Sequence, residues 1–179
     1  MDEDLRLIER YIAGDAEAVE DLVLKYQKQI YAVLCRMMGN TEDAKDLTQT
    51  AFVRAMEGLR GFRGESSFKT WLYRIAINHC INHVKKHAQE FVEVTEHTGS
   101  VHPSIQKQLE DREQREHFRR LVKRLPPKQK AIMELRINEQ LSYDEIARIS
   151  GRSVSTIKAS VFFALEKLRK LVKDPRIKA

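Results

Sequence analysis

A chain of 179 residues with 32 basic and 26 acidic side chains, net charge +6, is long enough for one ordinary domain or two small ones. No stretch approaches the roughly 18 uninterrupted apolar residues of a membrane span, and the acidic opening Met1-Asp2-Glu3-Asp4 is unlike a secretory leader. Two cysteines, Cys35 and Cys80, are too few for a disulfide framework, so the composition predicts a cytoplasmic protein with reduced thiols and no membrane insertion.

The elements predicted in chain order are all helical. Leu5, Ile8, Tyr11 and Ile12 recur at helical spacing and stop at Gly14. Asp15 is placed to cap a long helix whose apolar stripe is Val19, Leu22, Val23, Tyr26, Ile30, Val33, Leu34 and Met37, closed by Gly39-Asn40. Thr41 is the expected N-cap of the next helix, with Glu42 and Asp43 in its first turn and a core stripe of Ala44, Leu47, Ala51, Phe52, Ala55 and Leu59. A short loop, Gly61 to Ser66, leads into a helix from about Ser67 to His87 through Trp71, Leu72, Ile75, Ala76 and Val84.

From about Ala88 to Ser104 the periodicity is lost, and a charged helical stretch follows from about Ile105 to Arg124. Gly, Pro, Thr, Ser and acidic residues give residues 88–104 linker chemistry. After Leu125-Pro126-Pro127 a helix is expected from Lys128 to Ile137. Ser142-Tyr143-Asp144-Glu145 has the form of a capping box opening a short helix. Ser150-Gly151 makes a turn, and Ser153 caps a last helix carrying Val154, Ile157, Val161, Ala164, Leu165, Leu168 and Val172 on one face. The fold class is therefore all-α, two small helical domains joined by a flexible linker: residues 1–87, a linker 88–111, residues 112–173, and a tail 174–179.

Charge alternates along the same divisions. Net charge is −5 over residues 1–50, +5 over 51–87, −4 over 88–111 and +9 over 112–173. Basic blocks suit phosphate backbones, and acidic blocks suit a basic protein surface. A short capped helix, a glycine turn and a longer amphipathic helix make a helix-turn-helix. Opposite its buried stripe the last helix presents Ser155, Ala159, Phe162 and Glu166. Ser155 and Thr156 are placed for phosphates or base edges, Phe162 for a thymine methyl, and Arg152 and Lys158 for phosphate. Phe163, adjacent to Phe162, points largely outward, toward DNA, a partner or the first helix of its own domain.

Three motifs now carry a resemblance. Residues 43–55, Asp43-Ala44-Lys45-Asp46-Leu47-Thr48-Gln49-Thr50-Ala51-Phe52-Val53-Arg54-Ala55, resemble the core-polymerase-binding helix of the extracytoplasmic-function class of bacterial sigma factors. Phe68-Lys69-Thr70-Trp71-Leu72-Tyr73-Arg74-Ile75-Ala76-Ile77-Asn78 is similar to that family's promoter-melting helix. Leu125-Pro126-Pro127-Lys128-Gln129, Leu141 to Ala147, and Ser155-Thr156-Ile157-Lys158 resemble its second domain.

The resemblance implies a sigma-2-like helical bundle and a sigma-4-like helix-turn-helix domain that direct promoter-specific initiation, without catalysis and without a cofactor. Asp43, Asp46, Leu47, Gln49 and Phe52 would dock on core RNA polymerase, through its beta-prime and beta subunits. Arg60, Phe62, Arg63, Gly64, Ser66, Ser67, Lys69, Tyr73, Arg74 and Asn78 would hold the minus-ten element as a single strand, where bases need polar pockets and stacking surfaces. Arg152, Ser153, Ser155, Thr156, Lys158, Ala159, Phe162 and Phe163 would read the minus-thirty-five duplex. An anti-sigma factor clamping both domains is a further expected partner. Departures from the family pattern fall at Thr50, Asn82, Ser160, Phe163 and Leu165.

Two other readings compete. A stand-alone repressor or activator would bind duplex without polymerase, but needs neither the docking nor the melting helix. His79, Cys80, His83 and His87 share a broad helix face with ligand-type side chains. One helix rarely closes a structural metal site, so no metal is expected there.

Overall fold

The computed structural model describes residues 3–90, 118 and 120–173. The described residues form seven α-helices and a short 3-10 turn, with no strand among them. They are α1 (Glu3–Ile12), α2 (Glu17–Met38), α3 (Thr41–Gly58), η1 (Leu59–Gly61), α4 (Phe68–Glu90), α5 (Pro127–Ile137), α6 (Tyr143–Ser150) and α7 (Val154–Lys173). A helical stretch through Leu121 and Val122 precedes α5. Most of the predicted linker and the tail lie outside the described residues.

In the N-terminal half, α2 packs against α1, α3 and α4. Of its predicted stripe, Leu22, Tyr26, Ile30, Val33, Leu34 and Met37 are each less than a tenth exposed, while Val19 and Val23 are half-buried. The short α1 is held by a polar anchor as well as by Ile8. Asp4 is buried and accepts from the Tyr26 hydroxyl and from Lys25 Nζ at 2.7 Å. That acid, with Glu3, raises the Lys25 pKa, because both carboxylates favour the charged ammonium. At the other end of α3, Gly58 lets the chain pass close over Trp71, where a Cβ would sit 3.1 Å from the indole.

Caps decide the ends. Asp15 does meet a backbone N–H of α2, that of Glu17 at 3.1 Å, although the residue at the cap position is Ala16. Asn40, rather than Thr41, caps α3: its side chain accepts from Glu42 N, and its extended backbone leaves Thr41 as the first helical residue. α4 runs to Glu90 rather than stopping near His87, since Ala88-Gln89-Glu90 are good helix formers that extend the helix without apolar residues. In α6 both halves of the capping box are made, and Gly151 closes the helix in the left-handed conformation at φ 62. The Ser153 hydroxyl receives Thr156 N at the start of α7.

On α7, Ile157, Val161, Ala164 and Leu168 are buried as expected, whereas Leu165 and Val172 of the predicted stripe are exposed. Position 165 follows Ala164 by 100°, so only one of the two can face α5 and α6. The halves also meet one another: α5 lies against α2, and α6 against α4. Their apolar residues form one continuous buried cluster.

Candidate nucleic-acid interface

Three surfaces carry the candidate residues. On α3, Asp46 and Gln49 are exposed and Asp43 is half-buried, accepting from the Asn40 side chain at 3.2 Å. Leu47 and Phe52 lie on the opposite side of the same helix, buried in the bundle. They hold the acidic face in place and cannot reach a partner while the bundle is closed.

The second surface runs from η1 into α4. Arg60, Arg63, Gly64 and Ser67 are exposed, with Ser66 half-buried between them. Ser67 opens α4 by accepting Thr70 N at 3.2 Å. Beneath the loop is an aromatic floor. Phe62 is half-buried, its ring centroid 6.2 Å from Phe68 and 5.2 Å from Trp71. Trp71 packs against the core as its stripe with Ile75 implies, so it shapes the loop from below. Further along α4, Arg74 and Asn78 are exposed, and Lys69 is half-buried with its ammonium 5.8 Å from the Tyr73 ring centre.

Tyr73 departs from a simple surface role. It is fully buried, and its hydroxyl donates to Glu139 at 2.7 Å. Burial and the neighbouring carboxylate both push the phenol pKa up, so Tyr73 stays a neutral donor. The acceptor comes from the turn after α5, sixty-six residues away.

The third surface is the exposed side of α7. Arg152, Ser153, Ser155, Thr156, Lys158 and Ala159 are exposed together, and the Ser153 hydroxyl lies 2.9 Å from that of Ser155 and 2.7 Å from that of Thr156. Lys158 stands 5.9 Å from the Tyr143 ring centre. Phe162 and Phe163 are 59% and 60% exposed, edge to face with centroids 5.7 Å apart. An unpaired apolar pair of that size on a helix of this kind invites a contact.

Of the histidine face, the His87 side chain lies outside the described residues. Cys80 is buried with its sulfur 3.6 Å from that of Met38, and burial raises its thiol pKa to about 11. Among the described residues no group of three His, Cys, Asp or Glu is placed to hold a metal ion.

Sequence reasoning missed a polar cluster between the halves. Arg36 of α2 pairs with Glu134 of α5 at 2.9 Å and with Glu139 at 2.5 Å. Asn138 donates to the same Glu134 carboxylate, and buried Lys130 donates to the Met37 carbonyl at the end of α2. Burial lowers the Lys130 pKa. The one trace in the sequence is Lys130 and Glu134, charged residues four apart on the buried side of α5.

Comparison with known proteins agrees with this arrangement. Sigma-70 region 2 matches residues 22–90, and sigma-70 region 4 matches residues 115–168. Two such regions in this order define a sigma factor, the subunit that gives RNA polymerase its promoter specificity. The RNA polymerase sigma-H factor of Pseudomonas aeruginosa is 33% identical, covering 94% of this chain and 93% of its own length. The ECF sigma-E factor of Escherichia coli is 33% identical over 91% of each chain, and the ECF sigma factor SigW of Bacillus subtilis is 31% identical over 90% of this chain and 92% of its own. The chain belongs to the extracytoplasmic-function group of the sigma-70 family. Its fold is shared by CnrH, solved with the cytosolic domain of CnrY (TM-score 0.69, 22% identity, 96% and 97% coverage). It is shared as well by RpoE of Bartonella quintana, solved with the anti-sigma factor NepR (TM-score 0.66, 23% identity, 87% and 97% coverage).

Proposed function

We propose that this sigma factor acts in the cytoplasm, without catalysis of its own, by lending three surfaces to core RNA polymerase. The exposed acidic side of α3, Asp43, Asp46 and Gln49, docks on a basic surface of the polymerase. The loop from Arg60 to Ser67 and the outer face of α4 hold the single-stranded minus-ten element. Arg152 to Phe163 read the minus-thirty-five duplex. Residues 1–87 and 112–173 act as the two working domains, with 88–111 as the connection and 174–179 as a tail.

The observation that carries this reading is the separation of kinds of surface: acid on α3, bases and hydroxyls on η1–α4 and on the start of α7. Positive groups attract the phosphate backbone and fix register, while hydroxyls and an aromatic ring near base edges supply selectivity. Control by an anti-sigma factor is part of the proposal, supported by the structural neighbour RpoE, which was solved with the anti-sigma factor NepR.

Run-off transcription with sigma-free core polymerase and a genomic fragment library tests it. New discrete start sites that vanish with Asp46→Lys are expected, because Asp46 is exposed and its reversal leaves the bundle intact. No initiation, together with tight duplex binding by the protein alone, would instead identify a stand-alone regulator.

A further inference from the structure

The minus-ten face and the helix-turn-helix domain are in contact with each other. Glu139 accepts from Tyr73 and from Arg36 at once, and Glu134 takes the other side of Arg36. The Arg36, Glu134 and Glu139 side chains are 26%, 8% and 14% exposed, so the ions are largely withdrawn from water. Removing one partner from such a cluster leaves a largely buried charge uncompensated, which is strongly destabilising. Glu139 sits in a turn whose next residue, Gln140, is left-handed at φ 55, a conformation that costs a non-glycine residue energy and survives where surrounding contacts enforce it. At the far end of the same interface, a Cβ on Gly151 would stand 3.7 Å from the Arg74 guanidinium.

This geometry is incompatible with reading two promoter elements. Elements about 25 base pairs apart lie roughly 85 Å apart along B-DNA at 3.4 Å per step, whereas here α4 and α6 touch. The 27 residues between Glu90 and Phe118 give a maximum reach of about 90 Å, so the chain is long enough to open.

We propose that the free protein is held shut by a polar latch, Arg36 and Tyr73 on α2 and α4 against Glu134 and Glu139 of the second domain, which masks Tyr73, alone among the residues assigned to the minus-ten face, until the domains are drawn apart. Glu139 occupies the Tyr73 hydroxyl and the Arg36 guanidinium, groups of the kind that a nucleic-acid strand engages, with a carboxylate in place of a phosphate. The masking half of the proposal rests on α4 being the minus-ten face; the latch itself does not.

The test uses the full chain. Small-angle scattering gives the radius of gyration, for which a closed chain of this length is expected near 16 Å. Binding to a fluorescein-labelled random single-stranded 20-mer gives DNA affinity. The double variant Glu134→Gln with Glu139→Gln removes the latch's two negative charges at constant shape, leaving Arg36 without a counter-charge, and Glu9→Gln with Glu57→Gln makes the same charge change at exposed sites. Opening by several ångström and an affinity gain at least threefold beyond the matched control are expected. A wild-type protein already extended, or a double variant as compact as wild type, would overturn the latch. Opening with no gain beyond the control would overturn the masking. A gain that survives Lys69→Ala with Arg74→Ala would overturn the masking through the assignment of α4 itself, leaving the scattering result to stand for the latch.

Discussion

Gly151 offers a clean separation of backbone strain from steric space. Its φ of 62 and ψ of 38 close α6, and its N–H reaches the Ala147 carbonyl. A methyl group there meets nothing closer than 3.7 Å, so Gly151→Ala costs only conformation. Placing an L-residue in the left-handed region costs about 1–2 kcal/mol, partly offset by about 0.4–1 kcal/mol from stiffening the unfolded chain. The net loss is about 1 kcal/mol, or a melting temperature lower by about 2–4 °C for a chain of this size. Gly61 is the internal control: a Cβ there also meets nothing within 4 Å, and its φ is not positive. Gly61→Ala is expected to be neutral or to stabilise by up to about 1 kcal/mol. Urea denaturation at unchanged m-value measures both. If Gly151→Ala proved as stable as Gly61→Ala, the left-handed closure of α6, and with it the turn that aims α7, would be wrong.

Other outcomes follow from the same geometry. The Ser142 backbone N–H and hydroxyl both donate to Glu145 and hold its pKa below the usual carboxylate value of 4.5. A depressed folded pKa contributes stability above the unfolded value and loses it as the pH falls through the folded one. Ser142→Ala is therefore expected to cost about 1 kcal/mol at neutral pH, with the gap to wild type narrowing in denaturation series run below pH 4.5; a constant gap would contradict this. Phe162→Ala, at an exposed site, is expected to change stability by less than about 0.5 kcal/mol while weakening holoenzyme binding to promoter duplex in gel shift. Cys80, buried with its thiol pKa raised to about 11, is expected to resist alkylation by iodoacetamide in the native protein and to react after urea. Half-buried Cys35 reacts first, as peptide mass mapping can show.

What the sequence revealed is what local chemistry specifies. The capping box at Ser142, the proline start of α5, the glycine turn at Gly151 and the stripes of α2 and α7 all depend on neighbours within a turn or two. Boundary errors came from rival local choices: Asn40 outcompeted Thr41 as a cap, and Ala88 to Glu90 continued a helix that had no further apolar residue to signal it. The acidic face of α3 was visible, but a motif match alone does not distinguish Asp46, which is exposed, from Leu47 and Phe52, which hold the helix from within. The contact of Arg36 with Glu139 spans 103 residues and leaves no periodic trace. Only the charged pair Lys130 and Glu134 on a buried stripe hinted that α5 had a second helix surface to satisfy.

The paired rings of Phe162 and Phe163 bear on how this protein would behave as salt rises. Each cationic contact with DNA displaces bound ions, so a grip made of arginines weakens steeply with ionic strength. Aromatic surface such as that of Phe162 and Phe163 would instead add binding through water expelled rather than ions released. The promoter reading proposed for α7 would then be less sensitive to ionic strength than its +9 domain charge alone would suggest.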